Sequence, residues 1–241
     1  MPETGIRPDP MEETPAMDVR KTLAETFPFF DKLTPAQQDD LVAATNVKTA
    51  AAGTIVHGGS ECSGIIVVLS GQLRAYMSSE DGREITLYRM DAGKVCILSA
   101  ACVLDQIDFD VTVEAVTASE YLNILPGVYN RIASENIYME CYGYQQATER
   151  FSDVMWAMQQ ILFMSFDRRL AVFLLGERKK TGSDDIRLTQ EQIAKYMGSA
   201  REVVSRMLKY FVSEGLVRLH RGGVTILDAD ALMMVAGPSL R

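Results

Sequence analysis

Arg201, Glu202, Ser205 and Arg206 are spaced so that one side of a helix carries all four, with Lys209 a turn further along. Together these side chains suit one kind of chemistry. An arginine guanidinium forks onto the O6 and N7 acceptors of guanine, and a carboxylate accepts from the N4 amine of cytosine. The spacing predicts a short face that reads base edges in a DNA major groove. The competing reading is an amphipathic helix with a solvated charged face. The neighbouring segments weigh between the two.

A second helix and a tight turn must position that face. Leu188 to Lys209 reads LTQEQIAKYMGSAREVVSRMLK. Thr189 is a cap for the first helix, with Gln192 as its capping-box partner. Ile193, Ala194 and Met197 give that helix one apolar face, and Gly198 suits the exit from it. Ser199 is expected to cap the next helix. There Val203, Val204, Met207 and Leu208 face inward and leave the polar set outside. Downstream, Gly215 to Leu219, His220-Arg221-Gly222-Gly223 and Val224 to Leu227 read as strand, glycine turn, strand. The composite is a winged helix-turn-helix. In it Thr189, Gln190, Lys209, His220 and Arg221 are expected to touch phosphate, which sets register without carrying sequence information.

The run LTQEQIAKYMGSAREVVSRMLKYFVSEGLVRLHRGGVTI resembles the DNA-binding half of the Crp/Fnr regulators. On that resemblance Arg201, Glu202 and Arg206 stand where the family reads DNA. Glu202-x-x-Ser205-Arg206 also matches the form of the Fnr branch. The resemblance implies a homodimer whose partners are double-stranded DNA and RNA polymerase.

Bulk properties fit this division. The chain has 241 residues, 47% of them hydrophobic, and a net charge of −8. Residues 1–165 hold 11 basic and 23 acidic side chains, whereas residues 166–241 hold 13 and 9. Such asymmetry points to a basic nucleic-acid-binding part. No run approaches the roughly 18 apolar residues of a membrane helix. Residues 1–20 are acidic and Pro-rich, with no signal-peptide pattern, and are expected to form a disordered tail. Four cysteines (62, 96, 102 and 141) without close CxxC pairing suit a reducing cytoplasm.

Residues 21–46 read as helical, with Thr34-Pro35 as a helix start. From 47 to 125, glycines recur between short alternating segments. Leu73, Ala75 and Met77 take one face against Gln72, Arg74 and Tyr76, and Ile85 and Leu87 alternate with Glu84, Thr86 and Tyr88. Many short, evenly spaced strands predict a closed or sandwich-like β structure. VLSGQLRAYMSSEDGREITLYRMDAGKVC resembles the β-roll of the same family, the cyclic-nucleotide-binding fold.

In residues 136–165, Tyr144, Ala147, Phe151, Val154, Met158 and Ile161 recur at alternating steps of three and four, a coiled-coil seam. Met155, Trp156, Leu162 and Phe163 lie off that seam and are assigned to packing on the chain's own roll. Asp167 to Leu175 reads as a second, short helix. The expected architecture is α+β. A tail (1–20) precedes an effector-sensing roll (21–135), a dimerisation helix (136–165) and a winged helix-turn-helix domain (166–241).

Family members that bind cyclic AMP carry a Gly-Glu-Leu turn and an Arg-Ser pair. Here Ile97, Leu98 and Ser99 stand at the first and Phe109 and Asp110 at the second. The ribose carboxylate and the phosphate arginine are gone, so cyclic AMP is not expected as effector. Cys96, Leu98, Ser99, Cys102 and Phe109 are the effector candidates. Three readings stay open: core thiols, a redox or metal switch at Cys96 and Cys102, or an apolar effector against this stretch. Cys-x5-Cys is not a standard zinc spacing. An Fnr-type cluster is not expected, since the tail has no cysteine and Leu122 occupies the internal cysteine position.

An alternative is a cupin-like β-barrel enzyme with an accessory helical domain. It needs a His and carboxylate ligand set, which the two histidines, His57 and His220, do not supply. No phosphate-loop or nucleophile-elbow motif appears. No catalytic residue and no metal ligand is assigned.

Overall fold

The computed structural model describes residues 18–58, 63–80, 82, 84–97 and 111–237. Cys62, Leu98, Ser99, Cys102, Phe109, Asp110 and the tail to residue 17 lie outside them. The order is α1 (Val19–Thr26), a 3-10 turn (Phe30–Lys32), α2 (Pro35–Ala43), β1 (Thr45–Ala50), β2 (Ile55–His57), β3 (Ile65–Ser70), β4 (Gln72–Ser78) and β5 (Glu84–Asp91). Then come β6 (Val95–Cys96), β7 (Thr112–Ala115), β8 (Ser119–Ile124), α3 (Pro126–Glu135), α4 (Ile137–Phe163) and α5 (Phe166–Thr181). The last segment holds β9 (Asp185–Ile186), α6 (Gln190–Met197), α7 (Arg201–Ser213), β10 (Val217–His220), β11 (Gly223–Ile226) and α8 (Ala229–Ala236).

Local chemistry starts the helices. Asp18 caps α1, so residues 18–20, assigned to the tail, belong to a helix and its cap. Thr34 and Gln37 form a reciprocal capping box with Pro35 in the first turn of α2. Among the described residues two four-stranded antiparallel sheets follow, ordered β1-β8-β3-β6 and β2-β7-β4-β5. Ile66, Val67 and Leu122 from one, and Leu73, Ala75 and Val113 from the other, join one core. Each of these side chains larger than alanine contributes about 1.5–3 kcal/mol on burial. At Gly71 the chain turns from β3 into β4 with φ +78°, and a Cβ there would sit 2.4 Å from Ala118 O. His57 is buried, its Nδ1 2.8 Å from Ser63 Oγ, as a side chain of the roll.

The alternation in β4 and β5 departs from the expected pattern. Arg74 and Tyr76, on the face opposite Leu73 and Ala75, are 1% and 7% exposed, so both faces of β4 are buried, while Ile85 is 40% exposed. A bulge between Ala75 and Tyr76 shifts the β4–β5 register, and the outer face of this sheet is covered by α6.

Helix α4 runs unbroken, capped by Asn136. Its faces differ from the expected seam. Val154 packs on the roll's core. Met155, Leu162 and Phe163, assigned to that packing, are 45%, 64% and 79% exposed. Ala147 is half-buried, and Ile161 lines the cleft toward α5. Tyr144 and Phe151 are 61% and 66% exposed and Met158 47%. The stripe left open is therefore Tyr144, Thr148, Phe151, Met155, Met158 and Leu162. Helix α5 is longer than expected. It continues past Leu175 to Thr181 and ends at Gly182 in the left-handed region.

Candidate nucleic-acid interface

A second core holds the C-terminal part together. Leu170 and Leu174 of α5, Ile193 and Met197 of α6, Val204, Leu208 and Phe211 of α7, and Val224 of β11 share it. Thr189 and Gln192 make the expected capping box: Gln192 N donates to Thr189 Oγ1 at 3.2 Å, and Thr189 N donates to Gln192 Oε1 at 2.9 Å. Gly198 ends α6 at φ +59°. The cap of α7 is Ala200, without a side-chain hydrogen bond, and not Ser199. Backbone groups hold this turn instead: Ser199 N donates to Ala194 O at 3.0 Å, and Val204 N to Ala200 O at 3.2 Å.

Burial of Val204, Leu208 and Phe211 orients α7. Arg201, Glu202, Arg206 and Lys209 are left exposed on its outer side, and Ser205 is half-buried between them. Strands β10 and β11 pair in register, Val217 with Ile226 and His220 with Gly223, and β9 pairs β11 on the other side. Arg221 is exposed at the tip. His220 is not open-ended, as a phosphate ligand would be. Its Nε2 lies 2.8 Å from Asp185 Oδ1, which ties the hairpin to β9. Gly223 makes room for it, since a Cβ there would be 2.4 Å from the imidazole Cε1. Thr189 is exposed and spends its hydroxyl on the cap, while Gln190 is half-buried beside it.

The structure also joins residues that the sequence reading left out. Arg74 bridges Glu84 and Glu114, the latter at 2.7 Å, with its guanidinium 4.0 Å from the Tyr76 ring centroid. Lys195 of α6 reaches the same Glu114 at 3.0 Å. Thr86 Oγ1 donates to Lys195 O at 3.1 Å. Arg89 forks onto Glu177 of α5 and covers the Tyr196 ring at 4.4 Å. Lys180 pairs with Asp91 at 2.7 Å. The turn at Gly198 rests on β5, where a Cβ would meet Ile85 Cγ1 at 3.3 Å. Through these contacts the C-terminal part docks on the roll by α5 and α6 and leaves α7 outward. A cavity of about 440 Å³ remains between β5, α4, α5 and α6.

This docking carries a pH dependence. Partial burial pushes the Asp91 carboxyl up, but hydrogen bonds from Lys180 and Gln72 and the Lys180 charge outweigh it and hold it low. Burial likewise pushes Glu114 up, and Arg74 and Lys195 bring it below the usual range. A carboxylate with a depressed folded pKa contributes stability above its unfolded value, near pH 4, and loses it as pH falls further. The melting temperature should hold from pH 7 to about 5 on this account and drop below about 4. Lys195→Met should flatten that acid limb.

Cys96 is buried, with its Sγ 3.6 Å from the Tyr88 hydroxyl, and Cys141 is exposed. Among the described residues no three His, Cys, Asp or Glu side chains gather as a metal site. No described helix is long and apolar enough to cross a membrane.

Comparison with known proteins bears on the same two halves. Residues 168–235 match the Crp-like helix-turn-helix domain, and residues 47–136 match the cyclic nucleotide-binding domain. A solved Crp/Fnr-family transcriptional regulator from Eubacterium rectale is 41% identical, with TM-score 0.83, covering 88% of this chain and 99% of that one. The transcriptional regulator flp of Lacticaseibacillus casei is 26% identical over 84% of this chain and 93% of its own. The cAMP-activated global regulator CRP of Haemophilus influenzae is 22% identical over 76% and 84%. The helix-turn-helix domain and the relatives are those of regulators, and the enzyme alternative finds no support among them. The chain belongs to the Crp/Fnr family of DNA-binding transcriptional regulators.

Proposed function

We propose that the chain acts in the cytoplasm as a homodimer that contacts RNA polymerase, without enzymatic activity, and that α7 reads a palindrome. One observation carries the DNA reading: burial of Val204, Leu208 and Phe211 turns Arg201, Glu202 and Arg206 together to solvent. Arg206 forks onto a guanine, Glu202 accepts from a nearby cytosine, and Arg201 meets a flanking guanine or phosphate. Ser205 supports them from its half-buried place. Two such helices related by a twofold axis fit half-sites about 10–10.5 base pairs apart. Thr189, Gln190, Lys209 and Arg221 set register on phosphate, and His220 serves that end indirectly by fixing the wing on Asp185.

Arg206→Ala should cost about 1–3 kcal/mol on the selected site and flatten preference at one base pair. Arg221→Ala should weaken all sequences alike and lower the salt slope by about one unit per half-site. Binding-site selection with the wild type and both variants tests this. An unchanged motif with Arg206→Ala would overturn the recognition-helix assignment.

The effector is not cyclic AMP. Leu98 and Phe109 replace the carboxylate and arginine of the family cassette, and Asp110 adds a negative charge. Calorimetry should detect no micromolar binding of cyclic AMP or cyclic GMP, since burying an unpaired phosphate costs several kcal/mol or more. Tight binding of either nucleotide refutes this.

A further inference from the structure

The inward face of α4 carries one buried charge. Met139 and Gly143 are buried against the roll, and Val154 packs on its core. A Cβ on Gly143 would lie 3.3 Å from Tyr129 Oη and 3.8 Å from Ile97 Cδ1, so helix and roll touch there. Two turns on, the same face carries Arg150, 9% exposed. Its guanidinium sits over Tyr88, 4.8 Å from the ring centroid. The Tyr88 hydroxyl meets Cys96 Sγ. Burial, and then the neighbouring Cys96, push the Tyr88 phenol well up, so it stays neutral. An arginine at such a place is a poor source of stability: an apolar side chain of similar length avoids its desolvation cost, and its partners Glu149 and Asp153, 60% and 46% exposed, are not left as buried charges.

The three donor nitrogens of Arg150 are unequally engaged. Nη1 is held by Asp153 Oδ2 at 2.9 Å. Among the described residues Nη2 meets only Glu149 Oε2 at 3.4 Å, on a side chain 60% exposed. Nε is buried and has no hydrogen-bond partner among the described residues. Nε–H and Nη2–H are the parallel donors of one guanidinium edge, the fork that matches a carboxylate. Asp153 thus pins the far nitrogen, while one prong of the fork is unpaired and the other loosely held. Buried donors without an acceptor are rare in folded proteins and call for an explanation.

We propose that the roll senses a small organic acid, whose carboxylate takes Arg150 Nε and Nη2 as a bidentate pair and whose apolar body lies against Tyr88 and Cys96. This rests on the reading above, in which the effector is something other than a cyclic nucleotide, and names its chemical class. Glu149 turns out to solvent when the acid binds, and Asp153 keeps the guanidinium in place. Asp153 and Tyr88 also line the cavity between the roll and the DNA-binding half, so the acid would bear on the docked interface.

The test uses the full chain, wild type and Arg150→Met, in thermal melts and calorimetry. The probes are the straight-chain carboxylates from acetate to decanoate, benzoate and phenylacetate, each beside its neutral amide, with inorganic phosphate and cyclic AMP alongside. Without probe, Arg150→Met should melt at or above the wild type. At least one acid should raise the wild-type melting temperature more than its amide does. Arg150→Met should weaken that acid roughly 10- to 100-fold, the loss expected for a charge-assisted pair. The proposal is overturned if Arg150→Met melts several degrees lower, if no acid outdoes its amide, if the variant keeps the response, or if phosphate or cyclic AMP outdoes every acid. None of these readouts involves DNA, so their failure leaves the DNA-reading assignment standing, and the reverse holds too.

Discussion

Arg74→Ala should destabilise the full chain by about 3–5 kcal/mol, the scale for removing one partner of a buried ion pair. Arg74 is 1% exposed, and its guanidinium sits between Glu84 and Glu114. Without it the two carboxylates face each other with Lys195 as their cation, whose side chain is 38% exposed. Lys195→Met removes the more solvated partner and should cost only about 0–1 kcal/mol, in the range of surface pairs. Replacing Arg74, Glu84 and Glu114 together by Met, Leu and Leu should recover most of the loss, because the one charge left without a partner, on Lys195, is 38% exposed and stays solvated. Urea unfolding of the single and triple variants gives the ranking. Equal losses for Arg74→Ala and Lys195→Met would mean that the network is not centred on Arg74.

Arg74 also marks where reading the chain locally stops. Its strand alternates Leu73, Arg74, Ala75, Tyr76, which puts the arginine on the solvent side of a half-buried sheet. That side is covered by α6, more than a hundred residues away, as the Thr86–Lys195 hydrogen bond shows. Interactions confined to a few residues were legible beforehand. The Thr34-Pro35 helix start, the Thr189–Gln192 capping box, the Gly198 turn and the β10–β11 hairpin need only their own segments. So was the outward set on α7, because Val204 and Leu208 fix the helix's inner side. The Ser199 cap failed for a subtler reason. Serine is a good cap in general, but backbone bonds from Ser199 and to Ala200 already close this turn. The tie between His220 and Asp185 depends on β9 joining the wing sheet, which a two-residue strand does not announce.

The long helix shows the same limit and gives the sharper test. Apolar residues lie side by side along α4, at 151, 154, 155, 158, 161 and 162. Heptad spacing accepts either Val154 or Met155 in one seam, and Ile161 or Leu162 a turn later. Packing on the roll removes Val154 from the choice and leaves Met155 and Leu162 beside Phe151 and Met158. A second copy laid along Tyr144, Thr148, Phe151, Met155, Met158 and Leu162 would bury that stripe by steps of four and three. Phe151→Asp and Met155→Asp should therefore split a dimer while each protomer stays folded. A carboxylate in an apolar seam costs several kcal/mol, and both copies carry it. The dissociation constant should rise by about 1000-fold or more. Val154→Asp should instead lower the melting temperature of the roll, since it buries a charge in the protomer's own core. Sedimentation across a concentration series, with circular dichroism for folding, separates the three variants. A dimer that survives Met155→Asp but is split by Val154→Asp with its roll intact would restore the Val154 seam and show that α4 turns its other face to its partner.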